Sequence, residues 1–491
     1  MLSIRNRRIN FKILFSLLCI AGAVVLLCSF STSPVYPKYW GSDSAQFQTI
    51  GKSWAEGRIP YLDTFDHKGP IIFWINMLGY KCLGRNGVVL CQIVFFFFTL
   101  VGIYKITLYG SERLIIRWIG LVLTIVSLLN VYSNGNMCEE YCLPFLMFSA
   151  YGQYSYFKNM NREHNVWWGF FYGVTVSIGV LTRVTNAISV LCGMVVIVFV
   201  LVKTKQYYNI LENAVYFILG GGIMFGAFSI YFLINGAFED FLYASITYNI
   251  IYAKSMRAWV ENINLDMIIA YIRFFYPAIV CFPSFFLALY NRNVYLASYY
   301  LLVGLVENFL FCKGAFYHHY VIIALPNVIM FIVELEQALQ NNEGKMKEMF
   351  NKLLIVISII CLSMSAISNG SRICANRSKY QKLELDYETL MQDIPNEDFG
   401  KVMAYGSGTL KDFYLRHNIT PCYKYFVLQD AHGNRSSYVA NDIRLEFFKC
   451  DARWILTDKN TNLISDILEK YYTKYKEVGM YTLYKLKTTY T

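Results

Sequence analysis

A polar segment covering residues 39–70 carries side chains that could perform acid–base chemistry and bind an anion. It reads YWGSDSAQFQTIGKSWAEGRIPYLDTFDHKGP, with four acidic, three basic and one histidine side chain among aromatic residues. A carboxylate beside a hydroxyl can take its proton, while lysine and histidine can bind phosphate oxygens. The segment is therefore the first candidate for a functional site.

Asp43 is the first candidate in this segment. A helix can begin near Asp43 and end before Gly57, a residue that commonly terminates helices. Phe47, Ile50 and Trp54 would then share one face, as expected for a helix that lies on a membrane surface. A simple capping role at the start of the helix explains Asp43 equally well.

Asp66, His67 and Lys68 come just before Pro70 and a short apolar stretch, residues 70–83. The stretch is too short to cross a bilayer and begins with a residue suited to a first helical turn, so it predicts a re-entrant or surface helix. Charged groups next to such a helix would lie at headgroup level, where Lys68 and His67 could bind a phosphate. In a solvated loop the same residues would need no function.

Acidic and basic residues recur at the ends of later apolar stretches. Glu139 and Glu140 stand directly before one stretch, and Arg183 lies in a tight TRVTN turn between two others. Arg183 could bind a phosphate, or it could extend along the helix end towards lipid headgroups. The two acids could equally be ordinary residues of a solvated loop.

A last group of candidates precedes another apolar stretch and consists of Lys313, Tyr317, His318 and His319. Adjacent histidines rarely share a metal ion, so this group favours hydrogen bonds to a phosphate or a sugar. A divalent cation could bind the clustered carboxylates, although nothing in the sequence requires one.

Membrane helices are the elements that would position these residues. The 491-residue chain is 56% hydrophobic and only 16% charged, whereas soluble domains are about a quarter charged. Its mean hydropathy is +0.37. We predict a mainly α-helical, polytopic bundle of about eleven spans, near residues 11–30, 87–109, 114–132, 141–157, 166–182, 184–202, 214–234, 266–290, 294–311, 319–336 and 352–368.

The net charge of +11 sits mostly in short loops between these stretches. Lysine and arginine in such loops set membrane orientation, so the charge does not indicate nucleic-acid binding. With the N-terminus in the cytoplasm and 70–83 not crossing, the basic loops all become cytoplasmic. The candidate residues then converge on the opposite, extracytoplasmic face. The 13 cysteines form no CxxC pairs and predict neither a zinc site nor a disulfide framework.

The C-terminal tail, residues 369–491, differs in its sequence patterns from the rest of the chain. KVMAYG, ARWILTD and MYTLYKL predict strands, while DFYLRHN and ISDILEKYYTKYKEV predict helical segments. We therefore divide the chain into a membrane domain, residues 1–368, and a helical linker with a small extracytoplasmic α/β domain, residues 369–491.

The order and sidedness of these motifs resemble the GT-C membrane glycosyltransferases, in particular the bacterial group of protein mannosyltransferases, aminoarabinose transferases and RgtA/B/C/D-like proteins. The matching motifs are DSAQF, PYLDTFDHKGP before a short helix, an acidic second external loop, TRVTN, and FYHHY before a span containing Leu-Pro. The resemblance covers roughly residues 10–368. It implies an inverting transfer of a sugar from a polyprenyl-phosphate donor to a hydroxyl of a glycan, lipid or protein. The reaction would occur on the extracytoplasmic face of a bacterial cytoplasmic (inner) membrane.

Residue roles follow from the resemblance. Asp43 matches the family's first-loop aspartate, which acts as general base or orients the acceptor. Asp66 and Lys68 match an acidic–basic pair whose lysine holds the lipid phosphate, and either glutamate of the 139–140 pair matches the second-loop acid. Arg183, His318 and His319 match more loosely. Relatives often read KPP where this chain has Gly69 between Lys68 and Pro70. The resemblance therefore does not predict the backbone conformation at this point.

Two other function classes remain in view. A polymerase or ligase of surface glycans would want a large, arginine-rich outer loop, whereas 235–265 has only Arg257. A transporter or flippase of lipid-linked sugars would place charges near the bilayer midplane, often with internal repeats. Neither midplane charges nor internal repeats are evident in the sequence, so sugar transfer is the leading hypothesis.

Overall fold

The computed structural model describes residues 9–159, 163–255, 259–340, 345–381 and 386–487. These residues fall into two compact units. The first unit comprises those within Met1–Ser29, Cys91–Phe228 and Arg257–Cys374, and the second those within Phe30–Leu90, Ser229–Met256 and Ala375–Thr491. The second unit thus combines the polar segment with the tail, a grouping that does not follow the predicted boundary at residue 369.

Helices account for most of the described chain. Up to residue 381 they are α1 (Phe11–Cys28), α2 (Asp43–Ala55), α3 (Pro70–Leu83), α4 (Arg85–Gly110), α5 (Leu114–Val131), α6 (Cys138–Lys158), α7 (Val166–Val180), α8 (Ile188–Lys203), α9 (Tyr207–Ile234), α10 (Phe238–Leu242), α11 (Tyr248–Ser255), α12 (Leu265–Ile279), α13 (Cys281–Tyr290), α14 (Val294–Lys313), α15 (Leu325–Gln340) and α16 (Lys345–Gln381). Short 3₁₀ helices, Val184–Ala187 and His318–Ala324, precede α8 and α15.

A helix lies at each predicted span, but the number of spans stays a prediction. Among the described residues, seven helices are long and apolar enough to cross a membrane. An eighth span results if α12 and α13, bent by 41° at their junction, count as one. The mainly helical fold class is confirmed.

The helix beginning at Asp43 is confirmed, but its apolar face is buried in protein and is not open to a membrane. Nearly every residue of α2 after Asp43 is buried, including the polar Gln48, whose Nε2 donates to the Ser31 carbonyl (3.2 Å). A Cβ at Gly51 would lie 2.4 Å from the side chain of Asn76 in α3. The glycine therefore lets α2 pack closely against α3, and protein surrounds the helix.

Pro70 begins α3 at its first turn, as predicted. The helix stops at Leu83, and Gly84 adopts a positive φ of 59° at its C-terminal cap. Glycine reaches this left-handed region without the steric penalty that a Cβ brings.

The tail contains a four-stranded sheet and short helices. These are α17 (Asp386–Met391), β1 (Val402–Tyr405), α18 (Phe413–Arg416), α19 (Gln429–Gly433), α20 (Ser437–Phe448), β2 (Trp454–Thr457), α21 (Ser465–Tyr471), β3 (Tyr472–Val478) and β4 (Tyr481–Leu486). The strand order is β1-β2-β4-β3, with β1 and β2 parallel and the other pairs antiparallel.

One tail prediction is wrong in its second half. The segment ISDILEKYYTKYKEV, predicted as a single helix, is helical only to Tyr471 and continues as strand β3. Gly479, with φ 62°, turns the chain so that β3 pairs with β4 as a hairpin. Tertiary pairing with β4 thus overrides a local helical pattern. The strands predicted at KVMAYG, ARWILTD and MYTLYKL are confirmed.

Candidate active site

Asp43 is the first residue of α2 and forms an ion pair with Lys411 of the tail. Lys411 Nζ lies 2.7 Å from Asp43 Oδ1. The lysine side chain is only 8% exposed, whereas the Asp43 side chain is 45% exposed. Ser42 occupies the cap position without a side-chain capping bond, so Asp43 is not a simple cap. The pair fixes the Asp43 carboxylate while leaving it open to a reactant, as a base requires.

Asp66, His67 and Lys68 form a compact turn before α3. Asp66 is 2% exposed, and its Oδ1 accepts a hydrogen bond from the Lys68 backbone N–H (3.0 Å). His67 places Nδ1 3.3 Å from that oxygen and Nε2 3.4 Å from Lys68 Nζ. The three side chains therefore contact one another in a mostly buried turn and do not form the solvated loop of the alternative interpretation.

Neighbouring segments fix the backbone of this turn. Asn249 Nδ2 donates to the His67 carbonyl oxygen (2.6 Å), and the Tyr61 hydroxyl donates to that of Lys68 (2.7 Å). Tyr61 has a positive φ of 70° and is fully buried. Because both carbonyls are tied to side chains, the Lys68 side chain leaves a positioned backbone.

The tail packs directly on this turn. The Phe65 N–H donates to the Lys424 carbonyl oxygen (2.8 Å), and the Phe65 ring lies 4.8 Å from that of Tyr425 and 5.3 Å from that of His432. His432 is buried, and its Nδ1 lies 2.8 Å from the Tyr248 hydroxyl. The polar segment and the tail are thus in direct contact at Phe65.

Tyr252 lies between a histidine and an arginine of this group. The His67 ring stacks on Tyr252 with centroids 4.8 Å apart, and the Arg435 guanidinium lies 5.0 Å from the Tyr252 centroid. A cation so close to an aromatic ring is attracted by the negative face of the ring. Tyr252 therefore brings Arg435 near the turn that holds Lys68.

Burial shifts the titration of the three buried groups. It raises the pKa of Asp66, although the charge of Lys68 opposes the change. Burial and the charge of Lys68 lower the pKa of His67 well below its usual value. Burial and the charge of Arg435 lower the pKa of His432 to about 3. Both histidines are consequently neutral at physiological pH, and the positive charge of this group resides on its lysines and arginine.

The first unit contains a second set of predicted residues. Glu139, in the first turn of α6, is 2% exposed, and its Oε1 lies 3.3 Å from Arg183 Nη1. The Arg183 guanidinium carbon lies 3.2 Å from the ring centroid of Tyr320. Arg183 is 23% exposed. The pair therefore presents a partly accessible cation, held between a carboxylate and an aromatic face.

Glu140 has a different environment from its neighbour. Its Oε1 accepts hydrogen bonds from the Tyr132 hydroxyl (2.7 Å) and Gln92 Nε2 (3.0 Å), and its Oε2 accepts one from the Asn136 N–H (2.8 Å). The side chain is buried at 2% exposure. Hydrogen-bond donors surround the Glu140 carboxylate, so this residue stabilises the loop before α6.

The group predicted around residues 313–319 is divided. Tyr317 and His319 stack at 5.8 Å, and His319 meets the Tyr320 ring edge-on at 4.7 Å. Because Arg183 also contacts Tyr320, His319 belongs to the same neighbourhood.

The remaining two residues of that group face other rings. His318 stacks on Phe274 with centroids 3.8 Å apart, and Lys313 Nζ lies 6.0 Å from the Phe309 centroid. His318 thus contacts a ring of α12, whereas Lys313 contacts a ring of its own helix, α14. Neither residue is brought to Arg183 by these contacts.

Sequence reasoning missed Lys411, His432 and Arg435. They lie in the tail, remote in sequence from the polar segment, and no local pattern distinguishes them from surface residues. Glu307 was likewise not predicted from the sequence. It is a fully buried acid inside α14, and its Oε2 accepts a hydrogen bond from Asn327 Nδ2 (2.8 Å). A charged residue within an apolar helix was the signal that could have identified Glu307.

No group of three or more metal-binding side chains occurs within the residues that the structure describes. The sequence-based suggestion of a divalent cation therefore acquires no candidate site there.

Comparison with solved structures identifies similar folds. No family model and no curated protein matches the chain. The structure of ArnT from Cupriavidus metallidurans bound to undecaprenyl phosphate matches with a TM-score of 0.56 at 12% identity, over 98% of this chain and 99% of that one. The Archaeoglobus fulgidus oligosaccharyltransferase in its apo form matches with a TM-score of 0.51 at 11% identity, over 98% and 75% of the two chains. At such identities the likeness concerns the fold.

Proposed function

We propose that this chain, which has the GT-C fold of those glycosyltransferases, transfers a sugar from a polyprenyl-phosphate donor to an acceptor hydroxyl. The acceptor would be a glycan, a lipid or a protein. The reaction would take place on the extracytoplasmic face of a bacterial inner membrane. The observation that carries the proposal is the Asp43 carboxylate, which Lys411 holds at 2.7 Å while nearly half of its side chain stays exposed.

Asp43 would act as the general base. Its carboxylate takes the proton of the acceptor hydroxyl while that oxygen attacks the anomeric carbon of the donor sugar. The bond from this carbon to the phosphate oxygen breaks, and polyprenyl phosphate leaves with the electron pair. Attack opposite the leaving group inverts the anomeric configuration.

Lys68 would stabilise the leaving phosphate. Its backbone is held by Tyr61 and Asp66, so the ammonium group extends from a rigid turn. A positioned cation stabilises the negative charge that develops on the phosphate as the glycosidic bond breaks. Arg183, held by Glu139, is a further cation for a substrate phosphate or a sugar hydroxyl.

Replacing Lys68 with methionine should weaken donor use without unfolding the protein. Methionine keeps most of the apolar stem but removes the charge, so we expect kcat/KM for the donor to fall about 10- to 100-fold. The measurement is transfer from a radiolabelled polyprenyl-phosphate sugar by purified protein in vesicles. Lys52→Met on α2 is the matched control, because Lys52 pairs with Glu56 one helical turn away. Equal rates for the Lys68 variant and wild type would exclude Lys68 from donor binding.

The proposed orientation predicts where reporters will be active. A reporter fused after residue 117 should be cytoplasmic, and one fused after residue 140 should be external, because the basic loops lie inside. Alkaline phosphatase and green fluorescent protein fusions measure the two locations. The reverse pattern would contradict the extracytoplasmic assignment of the candidate residues.

Transport of lipid-linked sugars is the second candidate, and Glu307 is the observation that favours it. Acids inside membrane helices commonly mark transport pathways. The same vesicles distinguish the two functions: a glycosyltransferase forms a new glycosidic bond, whereas a flippase moves the intact donor between leaflets. A polymerase or ligase of surface glycans would instead require a diphosphate-linked oligosaccharide.

A further inference from the structure

The tail supplies two cations to the turn that carries Lys68. The charges of Lys411 and Arg435 both act on His67, and that of Lys411 also acts on Asp66. Arg435 contacts Tyr252, on which His67 stacks. Lys411 and Arg435 of the tail thus lie near the turn that carries Lys68, although the tail is remote from this turn in the chain.

Among the five charged side chains of this group, the positive ones outnumber the negative ones. Lys68, Lys411 and Arg435 carry three positive charges, whereas Asp43 and Asp66 carry at most two negative ones. His67 and His432 are neutral, as burial dictates. A local excess of positive charge favours the binding of an anion. The cluster is therefore suited to an anionic ligand.

His432 provides a second observation that points to a ligand. It is 4% exposed, and its Nδ1 is engaged by the Tyr248 hydroxyl. Its Nε2 is buried and has no hydrogen-bond partner among the described residues. Buried polar atoms are nearly always hydrogen-bonded in folded proteins. The His432 and His67 ring centroids lie 6.4 Å apart, so this nitrogen belongs to the same neighbourhood as Lys68.

We propose that Lys411, His432 and Arg435 of the tail complete, together with Lys68, a binding centre for a phosphoryl group. Arginine binds phosphate oxygens through paired N–H groups, and a neutral histidine can donate one further hydrogen bond from Nε2. The ligand is the phosphate of the lipid-linked donor, an assignment that rests on the proposed function. The tail is then part of the donor site.

The test measures binding of farnesyl phosphate to the full-length protein in nanodiscs by titration calorimetry. Arg435→Gln and His432→Asn should each weaken the affinity about tenfold or more, because each removes a donor to a charged phosphate. Asparagine keeps a polar atom near the Nδ1 position and removes Nε2. Glutamine places its amide near Nε2, so His432→Gln should retain affinity within about threefold.

A matched control comes from the same domain. Arg444→Gln removes an exposed tail arginine that pairs with Asp466, and we expect wild-type affinity for this variant. Thermal unfolding of each variant reports whether the tail is still folded. Wild-type affinity in both Arg435→Gln and His432→Asn would overturn the inference.

Further arms of the experiment identify the source of the phosphate. Farnesol should not bind measurably, and inorganic phosphate should compete only weakly, since the donor also contributes its chain. Inorganic phosphate that competes as well as farnesyl phosphate would overturn the assignment to a lipid donor.

Failure of the proposed function is separable from failure of this inference. A wild-type protein that transfers sugar while the tail variants bind normally contradicts only the inference. A protein that binds farnesyl phosphate through the tail residues but forms no glycosidic bond contradicts only the proposed function.

Discussion

Replacing Asp43 with asparagine should lower the rate of sugar transfer about 10²–10⁴-fold, the usual contribution of a general base. Asparagine keeps the shape of the side chain but cannot accept the acceptor's proton. It also leaves the buried Lys411 ammonium without its carboxylate partner at 2.7 Å, although the amide oxygen can still accept a hydrogen bond. The measurement is transfer from a radiolabelled polyprenyl-phosphate sugar, with protein amount quantified in the same membranes.

A control for the Asp43 variant lies at the other end of the same helix. Glu56 follows α2, pairs with Lys52 and is 42% exposed. Glu56→Gln should transfer sugar at the wild-type rate, because exposed pairs of this kind contribute little to stability. An Asp43→Asn protein that retains full activity at normal expression would remove Asp43 from the catalytic role.

Replacing Glu140 with leucine should unfold the region before α6, whereas the same change at Glu139 should mainly affect activity. Leucine at position 140 removes the carboxylate that accepts hydrogen bonds from the buried Tyr132, Gln92 and Asn136. The loss of each such hydrogen bond costs about 1–3 kcal/mol, so we expect the free energy of unfolding to fall by about 3 kcal/mol or more.

Thermal unfolding in detergent, followed with the transfer assay, separates the two glutamates. Glu139→Leu frees Arg183, which is partly exposed and can be hydrated, so its melting temperature should change less than that of Glu140→Leu. A Glu140→Leu protein that melts like wild type but lacks activity would make Glu140 a functional residue.

Local sequence patterns predicted much of the fold. Apolar stretches of membrane-spanning length predicted where the helices lie, and Pro70 and Gly57 marked the boundaries of α3 and α2. Such signals depend only on neighbouring residues. The burial of the apolar face of α2 was not predicted, because the sequence does not reveal that Gly51 allows α3 to approach it closely.

The candidate site was predictable only in part. Asp43, Asp66 and Lys68 share one short segment, and the motif around them resembles a known family. Lys411 and Arg435 reach that segment through tertiary folding, for which a single sequence contains no local signal. The adjacent pairs Glu139–Glu140 and His318–His319 look equivalent in sequence, yet packing gives the members of each pair different partners.

The ion pair between Asp43 and Lys411 also has a consequence for biogenesis, because 368 positions separate its two residues in the chain. At about 5–20 residues per second, a ribosome needs roughly 20–70 s to extend the chain from one residue to the other. During this interval ten of the eleven predicted membrane spans are synthesised, all except the first. The ion pair can therefore form only after residue 411 has been translated, when all the predicted membrane spans have already been synthesised.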